Sequence, residues 1–105
     1  MKKGFFGNDL KNGLVLDDCD TEYWYVDDIL HRDDGPAIVQ KDGFQAWFMH
    51  GQCHRIDGPA ITRADGTVWW WLYDSPVSSP FQFQRASGCT DEELAMLILK
   101  YGNIR

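Results

Sequence analysis

Three short stretches of the chain, 21–26, 44–49 and 67–73, are rich in aromatic and other apolar residues. We expect them to be β-strands, in which successive side chains point to opposite faces of a sheet. In each stretch both faces carry large apolar groups. The pattern therefore predicts a sheet with one face in a core and a second face covered by another element, a partner or a ligand.

Short turn signals separate these stretches from further short strands. Asp42-Gly43 and Asp65-Gly66 favour tight hairpins, because glycine tolerates positive φ and aspartate hydrogen-bonds within its own turn. His50-Gly51 turns the chain again after the second stretch. Hairpins with short turns predict a mainly β fold, an antiparallel meander.

Two segments of seven residues have nearly the same sequence, HRDDGPA at 31–37 and HRIDGPA at 54–60. We call them the first and second HRxDGPA segments. They begin 23 residues apart, and Trp24, Trp47 and Trp70 recur at the same interval. Two clear copies with decayed flanking copies predict tandem 23-residue β-hairpin repeats over residues 14–73.

The C-terminal part has a different pattern. Residues 74–89 are predicted to be a connector, in which the alternation over 81–85 suggests a short strand. Residues 90–101 are predicted to be the one helix, with a capping box between Thr90 and Glu93. Because this helix is apolar almost all round, we expect it to be buried on more than one side. It would cover the second sheet face or serve self-association.

The 23-residue period, with its aromatic strand and its Gly, His, Gly and Asp-Gly positions, resembles the MORN repeat. The residues that carry the likeness are Trp47, Gly51, His54, Gly58 and Asp65-Gly66. A closer likeness is to the HRxDGPA variant found in small proteins of tailed bacteriophages and some bacteria. It covers residues 14–73 and implies a sheet of stacked hairpins that acts as an interaction scaffold. Small phage proteins often inhibit or sequester host components, including defence proteins and their nucleotide signals.

Length and composition narrow the classes of function. The 105 residues are expected to form a single domain, 1–105, and the net charge of −6 argues against direct nucleic-acid binding. Three cysteines without a tight spacing are not a disulfide framework. With no signal peptide or membrane-length apolar run in view, the sequence predicts a cytoplasmic protein that does not bind membranes.

Two surfaces are candidates for binding a partner. Aromatic side chains that point away from the repeated tryptophans form a candidate hot spot. These residues, which we call the aromatic face, are Tyr25, Phe48, Trp69 and Trp71. The second candidate is the acidic rim, residues 17–28, which holds six acidic residues and no basic one. It is either a solvated surface or a docking site for a basic protein, with Asp17, Asp18 and Asp20 as contacts.

Four other kinds of chemistry are alternatives. Arg32, Arg55 and Arg85 could hold the phosphates of a nucleotide whose base stacks on the aromatic face. His31 and His54 could serve acid–base catalysis, but an enzyme needs one site, and a motif that occurs twice favours a structural task. The remaining candidates are a zinc site from His50, Cys53, His54 and a distant Cys19, and a nucleophilic Cys89 that lacks an obvious partner.

The sequence therefore predicts a non-enzymatic binding protein without a metal or cofactor. We expect it to be phage-encoded and to inhibit a host protein, such as a defence protein, by stoichiometric binding in the host cytoplasm. Sequestration of a nucleotide signal is the alternative, and a small hydrolase is the third reading. Self-association through the aromatic face or the helix stays open.

Overall fold

A computed structural model describes residues 10–104. They form ten antiparallel β-strands followed by two α-helices, so the prediction of a mainly β antiparallel fold is confirmed. The strands are β1 (Gly13–Leu16), β2 (Glu22–Val26), β3 (Ile29–Leu30), β4 (Ile38–Val39), β5 (Gln45–Ala46), β6 (Phe48–Met49), β7 (Gln52–Cys53), β8 (Ile61–Thr62), β9 (Val68–Leu72) and β10 (Ser75–Val77). The helices are α1 (Pro80–Ser87) and α2 (Asp91–Tyr101).

Eight strands form one sheet in the order β1-β2-β4-β5-β8-β9-β10, with β3 paired to β2. Strands β6 and β7 pair only with each other among the described residues. Strands that are neighbours in the sheet are also consecutive along the chain, except that β3 and the β6–β7 pair lie between some of them in sequence. The short connections between antiparallel strands produce this order.

Three hairpins close through two-residue turns in which both residues have positive φ. The turns are Asp27-Asp28 (48° and 67°), His50-Gly51 (52° and 80°) and Tyr73-Asp74 (51° and 65°). Such turns match the right-handed twist of the paired strands. They begin at positions 27, 50 and 73, which lie 23 residues apart.

The Asp-Gly turns form as the sequence predicts. Asp42 Oδ1 accepts a hydrogen bond from the N–H of Phe44 at 3.0 Å, and Asp65 Oδ1 accepts one from Thr67 at 3.0 Å. Gly43 and Gly66 take φ values of 102° and 89°, where a side chain would be strained. The hydroxyl and the backbone N–H of Thr67 both stabilise the ionised form of Asp65, so its pKa is lowered.

Tryptophans and alanines form one row across the face of the sheet on which the helices pack. The N–H of Trp24 donates to Ala37 O at 2.8 Å, and that of Trp47 donates to Ala60 O at 2.7 Å. The strand register continues this row to Trp70. Ala37 and Ala60 are fully buried because large rings lie on both sides, so a bulkier residue there would not fit.

Residues 81–85 are helical, so the prediction of a short strand there is wrong. Ser79 caps α1 by accepting the N–H of Gln82 at 3.1 Å, and Pro80 takes the first helical position. Serine followed by proline is a helix-start signal, and it outweighs a five-residue alternation. The region 74–89 thus contains β10 and α1, and the chain has two C-terminal helices, not one.

Helix α2 begins at the predicted capping box, in which Thr90 and Glu93 bond each other's backbone N–H groups. Its inner residues Leu94 and Tyr101 pack on a core that contains Trp70 and Phe83. Leu99 is 82% exposed, so the expectation that α2 is buried on more than one side is wrong. Only one side of α2 packs on the core, so the apolar residues on its other side stay exposed to solvent.

The helices pack on the face of β9 that carries Trp70 and Leu72. Trp70 meets Phe83 edge-on at a ring-centroid distance of 5.1 Å and Tyr101 at 6.0 Å. The expectation that the C-terminal helix covers the aromatic face is therefore wrong. No helix within residues 10–104 has the length and apolar character needed to span a bilayer.

Candidate functional site

The first HRxDGPA segment connects the first hairpin to the second. The N–H of His31 donates to Trp24 O at 3.0 Å, and the N–H of Arg32 donates to Phe48 O at 3.1 Å. His31 Nδ1 accepts the N–H of His50 at 2.8 Å, in the turn of the second hairpin. The segment therefore bonds the backbones of two neighbouring hairpins.

The second segment makes the corresponding contacts one hairpin further on. The N–H of His54 donates to Trp47 O at 3.1 Å, and that of Arg55 donates to Trp71 O at 3.3 Å. His54 Nδ1 accepts the N–H of Tyr73 at 3.0 Å. We call each such set of hydrogen bonds between two neighbouring hairpins a joint. Three hairpins have two joints between them, and each HRxDGPA segment forms one.

The arginine of each segment lies over the ring of the tryptophan in its own hairpin. Arg32 Cζ is 4.1 Å from the Trp24 ring centroid, and Arg55 Cζ is 3.9 Å from that of Trp47. Arg32 also donates to Asp34 (3.3 Å) and to the carbonyl of residue 36 (3.2 Å). A cation held over a ring and bonded at its edge is fixed in position.

Arg55 has further partners in α2. It donates from Nε to Asp57 (2.8 Å), from Nη1 to Pro59 O (3.1 Å) and from Nη2 to the hydroxyl of Tyr101 (3.2 Å). The guanidinium thus lies between the rings of Trp47 and Tyr101 and ties the second joint to α2. Because these donors serve contacts within the chain, this geometry favours a structural role for Arg55 over phosphate binding.

The two imidazoles are held in one tautomer. A backbone N–H always donates, so Nδ1 of both His31 and His54 is the acceptor and the proton of the neutral ring is on Nε2. His31 Nε2 is 2.9 Å from Asp33 Oδ1. The matching position in the second segment is Ile56, so His54 has no carboxylate at the position that Asp33 takes beside His31.

We expect the protein to lose stability as the pH falls below about 6.5 through protonation of His54. Burial lowers the pKa of His54 from its ordinary 6.5, so the unfolded chain binds this proton at a higher pH than the folded one. The stability is present above 6.5, is lost as the pH falls towards the lowered pKa, and is constant below it. Urea unfolding at pH steps between 5.5 and 7.5 measures the slope.

The matched control is His54→Asn. The asparagine Oδ1 can accept the N–H of Tyr73 as Nδ1 does, but it does not titrate. We expect this variant to retain most of the stability at pH 7.5 and to show a shallower slope below 6.5. An unchanged slope would assign the pH dependence to other groups.

The cysteines do not form a reactive or metal-binding cluster in the described part of the chain. Burial, with the charge of Asp74, raises the pKa of Cys53 to about 12, so its thiol is protonated near neutral pH. Cys19 is exposed, Cys89 is half-buried, and all three are free thiols. Among residues 10–104, no group of three or more His, Cys, Asp or Glu side chains is placed to hold a metal ion.

The opposite face of the sheet carries a continuous apolar row that belongs to six strands. Successive strand pairs bring its members opposite one another. These residues, which we call the cross-sheet row, are Val15, Tyr23, Ile38, Ala46, Ile61 and Trp69. Only Ala46 is buried, and Trp69 is 45% exposed. Sequence reasoning missed Ile38 and Ile61, because strand register decides which residues share a face.

Residues of the aromatic face lie beside the cross-sheet row. Tyr25 stacks on Tyr23 with ring centroids 6.4 Å apart, and Trp71 follows Trp69 by two positions on β9. Tyr25, Phe48 and Trp71 are half-buried. Arg63 Cζ lies 5.1 Å from the centroid of the Trp69 ring, so one of these rings already contacts a cation within the chain. The structure therefore extends the predicted aromatic face into a larger apolar surface.

The acidic rim adjoins this surface at Tyr23. The hydroxyl of Tyr23 donates to Asp17 Oδ2 at 3.3 Å. Asp17 also accepts the N–H groups of Thr21 and Cys19, and these bonds lower its pKa. Asp20 pairs with Lys41 at 2.8 Å, and Asp18 is exposed. Asp17 thus holds the β1–β2 turn, and of Asp17, Asp18 and Asp20 only Asp18 has a side chain without a contact among the described residues.

Arg85 has a different setting from the other two candidate arginines. It lies on the exposed side of α1, with its Cζ 5.7 Å from the Phe81 ring. Arg32 and Arg55 instead belong to the joints between hairpins.

No family model, no curated protein and no solved structure matches this chain.

Proposed function

We propose that this chain is a non-enzymatic binding protein whose recognition surface is the aromatic face together with the cross-sheet row. The observation that carries the proposal is the contrast between two adjacent tryptophans. Trp70 is 1% exposed beneath the helices, while Trp69 on the other side of β9 is 45% exposed. Large apolar side chains held in one plane outside the core are typical of a protein interface.

The partner that fits this surface is a protein with an apolar centre and a basic margin. A paired sheet holds the rings in fixed positions, so little side-chain entropy is lost on binding. The acidic rim lies beside Tyr23 at one end of the surface, and the chain has a net charge of −6. Such a margin would raise the association rate of a basic partner and make it sensitive to salt.

We also propose that residues 14–73 are tandem MORN-like repeats of the HRxDGPA variant. The matching contacts of the two segments, from the histidine Nδ1 to the arginine–tryptophan stack, support it. The resemblance to small phage proteins favours a host protein as the target, such as a defence protein bound in the host cytoplasm.

Removing the rings of Trp69 and Trp71 is expected to weaken partner binding strongly while the protein stays folded. We expect Trp69→Ser with Trp71→Ser to weaken binding about 100-fold or more, since two hot-spot residues contribute about 2 kcal/mol each. The partner is first captured from bacterial lysate and identified by the native mass of the complex, and its affinity is then measured by calorimetry. Leu14→Ser with Leu16→Ser is the matched control, because both leucines are exposed on β1 at the sheet edge.

Charge reversal tests the contribution of the acidic rim to binding separately from that of the tryptophan rings. Asp18→Lys with Asp20→Lys leaves Asp17 in its turn and should mainly slow association and reduce its salt dependence. If these changes abolish binding while the tryptophan variants bind normally, the aromatic surface is not the interface. A melting-temperature shift with a cyclic nucleotide would instead favour sequestration of a nucleotide signal.

A further inference from the structure

A groove of about 580 Å³ lies on the helix side of the sheet, between the second HRxDGPA segment and the first half of α2. Its apolar wall is formed by Ile56, Met96 and Leu97. Its polar margin is formed by Asp57, Glu92 and Glu93, and none of the described residues that line it is basic. The groove thus combines an apolar floor with a negative margin.

Ile56 is the one position at which the two HRxDGPA segments differ. In the first segment this position is Asp33, whose carboxylate lies 2.9 Å from His31 Nε2. Ile56 cannot make that contact, and its side chain is 55% exposed at the groove. The second segment therefore has an exposed apolar group where the first has a polar pair. The joint itself does not require that group, because the first segment forms the same joint without it.

The outer side of α2 extends the apolar wall. Glu92, Met96 and Leu99 follow one another at spacings of four and three, so they share one side of the helix. Met96 is 66% exposed and Leu99 is 82% exposed. Methionine adapts its shape to different partners, which suits a groove that receives a side chain from outside.

The charge at this groove is available to a partner. The side chain of Glu92 makes no hydrogen bond or ion pair with another residue in the range 10–104. Glu93 accepts the N–H of Thr90, and Asp57 pairs with Arg55. The partial positive charge of the α2 N-terminus is about half an elementary charge, and three acidic residues in the first turn exceed it. The local field is therefore negative.

We propose that this groove docks a cationic amphipathic segment of another protein. Its apolar side chains would enter between Ile56, Met96 and Leu97, and its lysines or arginines would lie against Glu92 and Glu93. In this mode of recognition, an amphipathic helix places apolar side chains three or four residues apart into the groove. The groove lies on the side of the sheet opposite the aromatic face, so the proposal does not depend on the proposed function.

The test uses a synthetic 14-residue helical peptide of leucine and lysine, titrated by fluorescence anisotropy against the full chain. We expect saturable one-to-one binding in about 0.15 M salt, where general charge attraction is screened beyond about 8 Å. A leucine–glutamate peptide and a serine–lysine peptide should bind at least about 10-fold more weakly, because each lacks one of the two features that the groove reads.

The key variant is Ile56→Asp. It makes the protein more negative, so non-specific attraction of the peptide rises, while insertion into the groove is blocked. We expect binding to weaken about 10-fold or more. The new carboxylate stands where Asp33 stands in the first segment, so the melting temperature should be preserved. Met96→Glu should act in the same direction, and Leu14→Asp on distant β1 should leave binding unchanged.

Three results would overturn the proposal. The first is equal binding of the serine–lysine peptide, which would reveal charge attraction alone. The second is unchanged binding by Ile56→Asp and Met96→Glu, which would place the peptide elsewhere. The third is self-association of the chain in sedimentation experiments that Ile56→Asp removes, which would assign the groove to a second copy.

Discussion

Replacing Trp70 with alanine is expected to lower the free energy of unfolding by about 3–5 kcal/mol, the usual loss for a large buried aromatic side chain. Trp70 is 1% exposed and contacts Phe83 and Tyr101 edge-on, so both helices rest on it. Such a loss is a large part of the total for a domain of this size. Urea unfolding followed by circular dichroism measures it.

The adjacent residue provides the control. Trp69→Ala removes the same side chain from the exposed side of the same strand, so we expect a loss of less than about 1.5 kcal/mol. If Trp70→Ala does not fold, Trp70→Phe keeps a ring in the core and should cost less, while still exceeding Trp69→Phe. Equal losses at positions 69 and 70 would contradict the assignment of the two faces of β9.

Replacing Gly58 with alanine is expected to destabilise the protein by about 2–3 kcal/mol through overpacking. A Cβ atom at this position would lie 2.7 Å from Arg55 Cζ and 2.9 Å from Nη1. The guanidinium would have to leave its place over Trp47 and give up its hydrogen bonds to Asp57 and Pro59 O. The φ of Gly58 is outside the left-handed region, so the backbone itself accepts alanine.

A double-mutant cycle isolates the cause. In an Arg55→Ala background the atoms that the new methyl group would meet are absent, so Gly58→Ala should be nearly neutral. Gly35→Ala makes an independent test, since its Cβ would lie 2.9 Å from Arg32 Cζ in the first joint. A full loss of stability in the Arg55→Ala background would mean that the backbone, not the arginine, requires glycine.

The two variants differ in what they report. Trp70→Ala tests the core beneath the helices, whereas Gly58→Ala tests the joint between two hairpins. The Arg55 contact to the Tyr101 hydroxyl links these parts, because that tyrosine also touches Trp70. We therefore expect their effects to be less than additive, as for residues in one network.

Local chemistry determined much of this protein in the sequence alone. Short runs rich in aromatic and other apolar residues placed the long strands, Asp-Gly pairs placed turns, and Thr90 with Glu93 placed the start of α2. These signals act over a few residues, where φ preferences and nearby hydrogen bonds decide the conformation. Residues 81–85 show the limit, because two phenylalanines two apart fit a strand and a short helix alike.

Only the tertiary structure decided which residues share a surface. Ile38 and Ile61 join Trp69 because strand register aligns them, and the two helices lie over Trp70 because they follow β10 onto that side. The groove at Ile56 exists because α2 folds back across the second HRxDGPA segment. Each of these contacts joins residues distant along the chain, and their choice depends on packing and on burial of apolar area, which no short stretch of sequence contains.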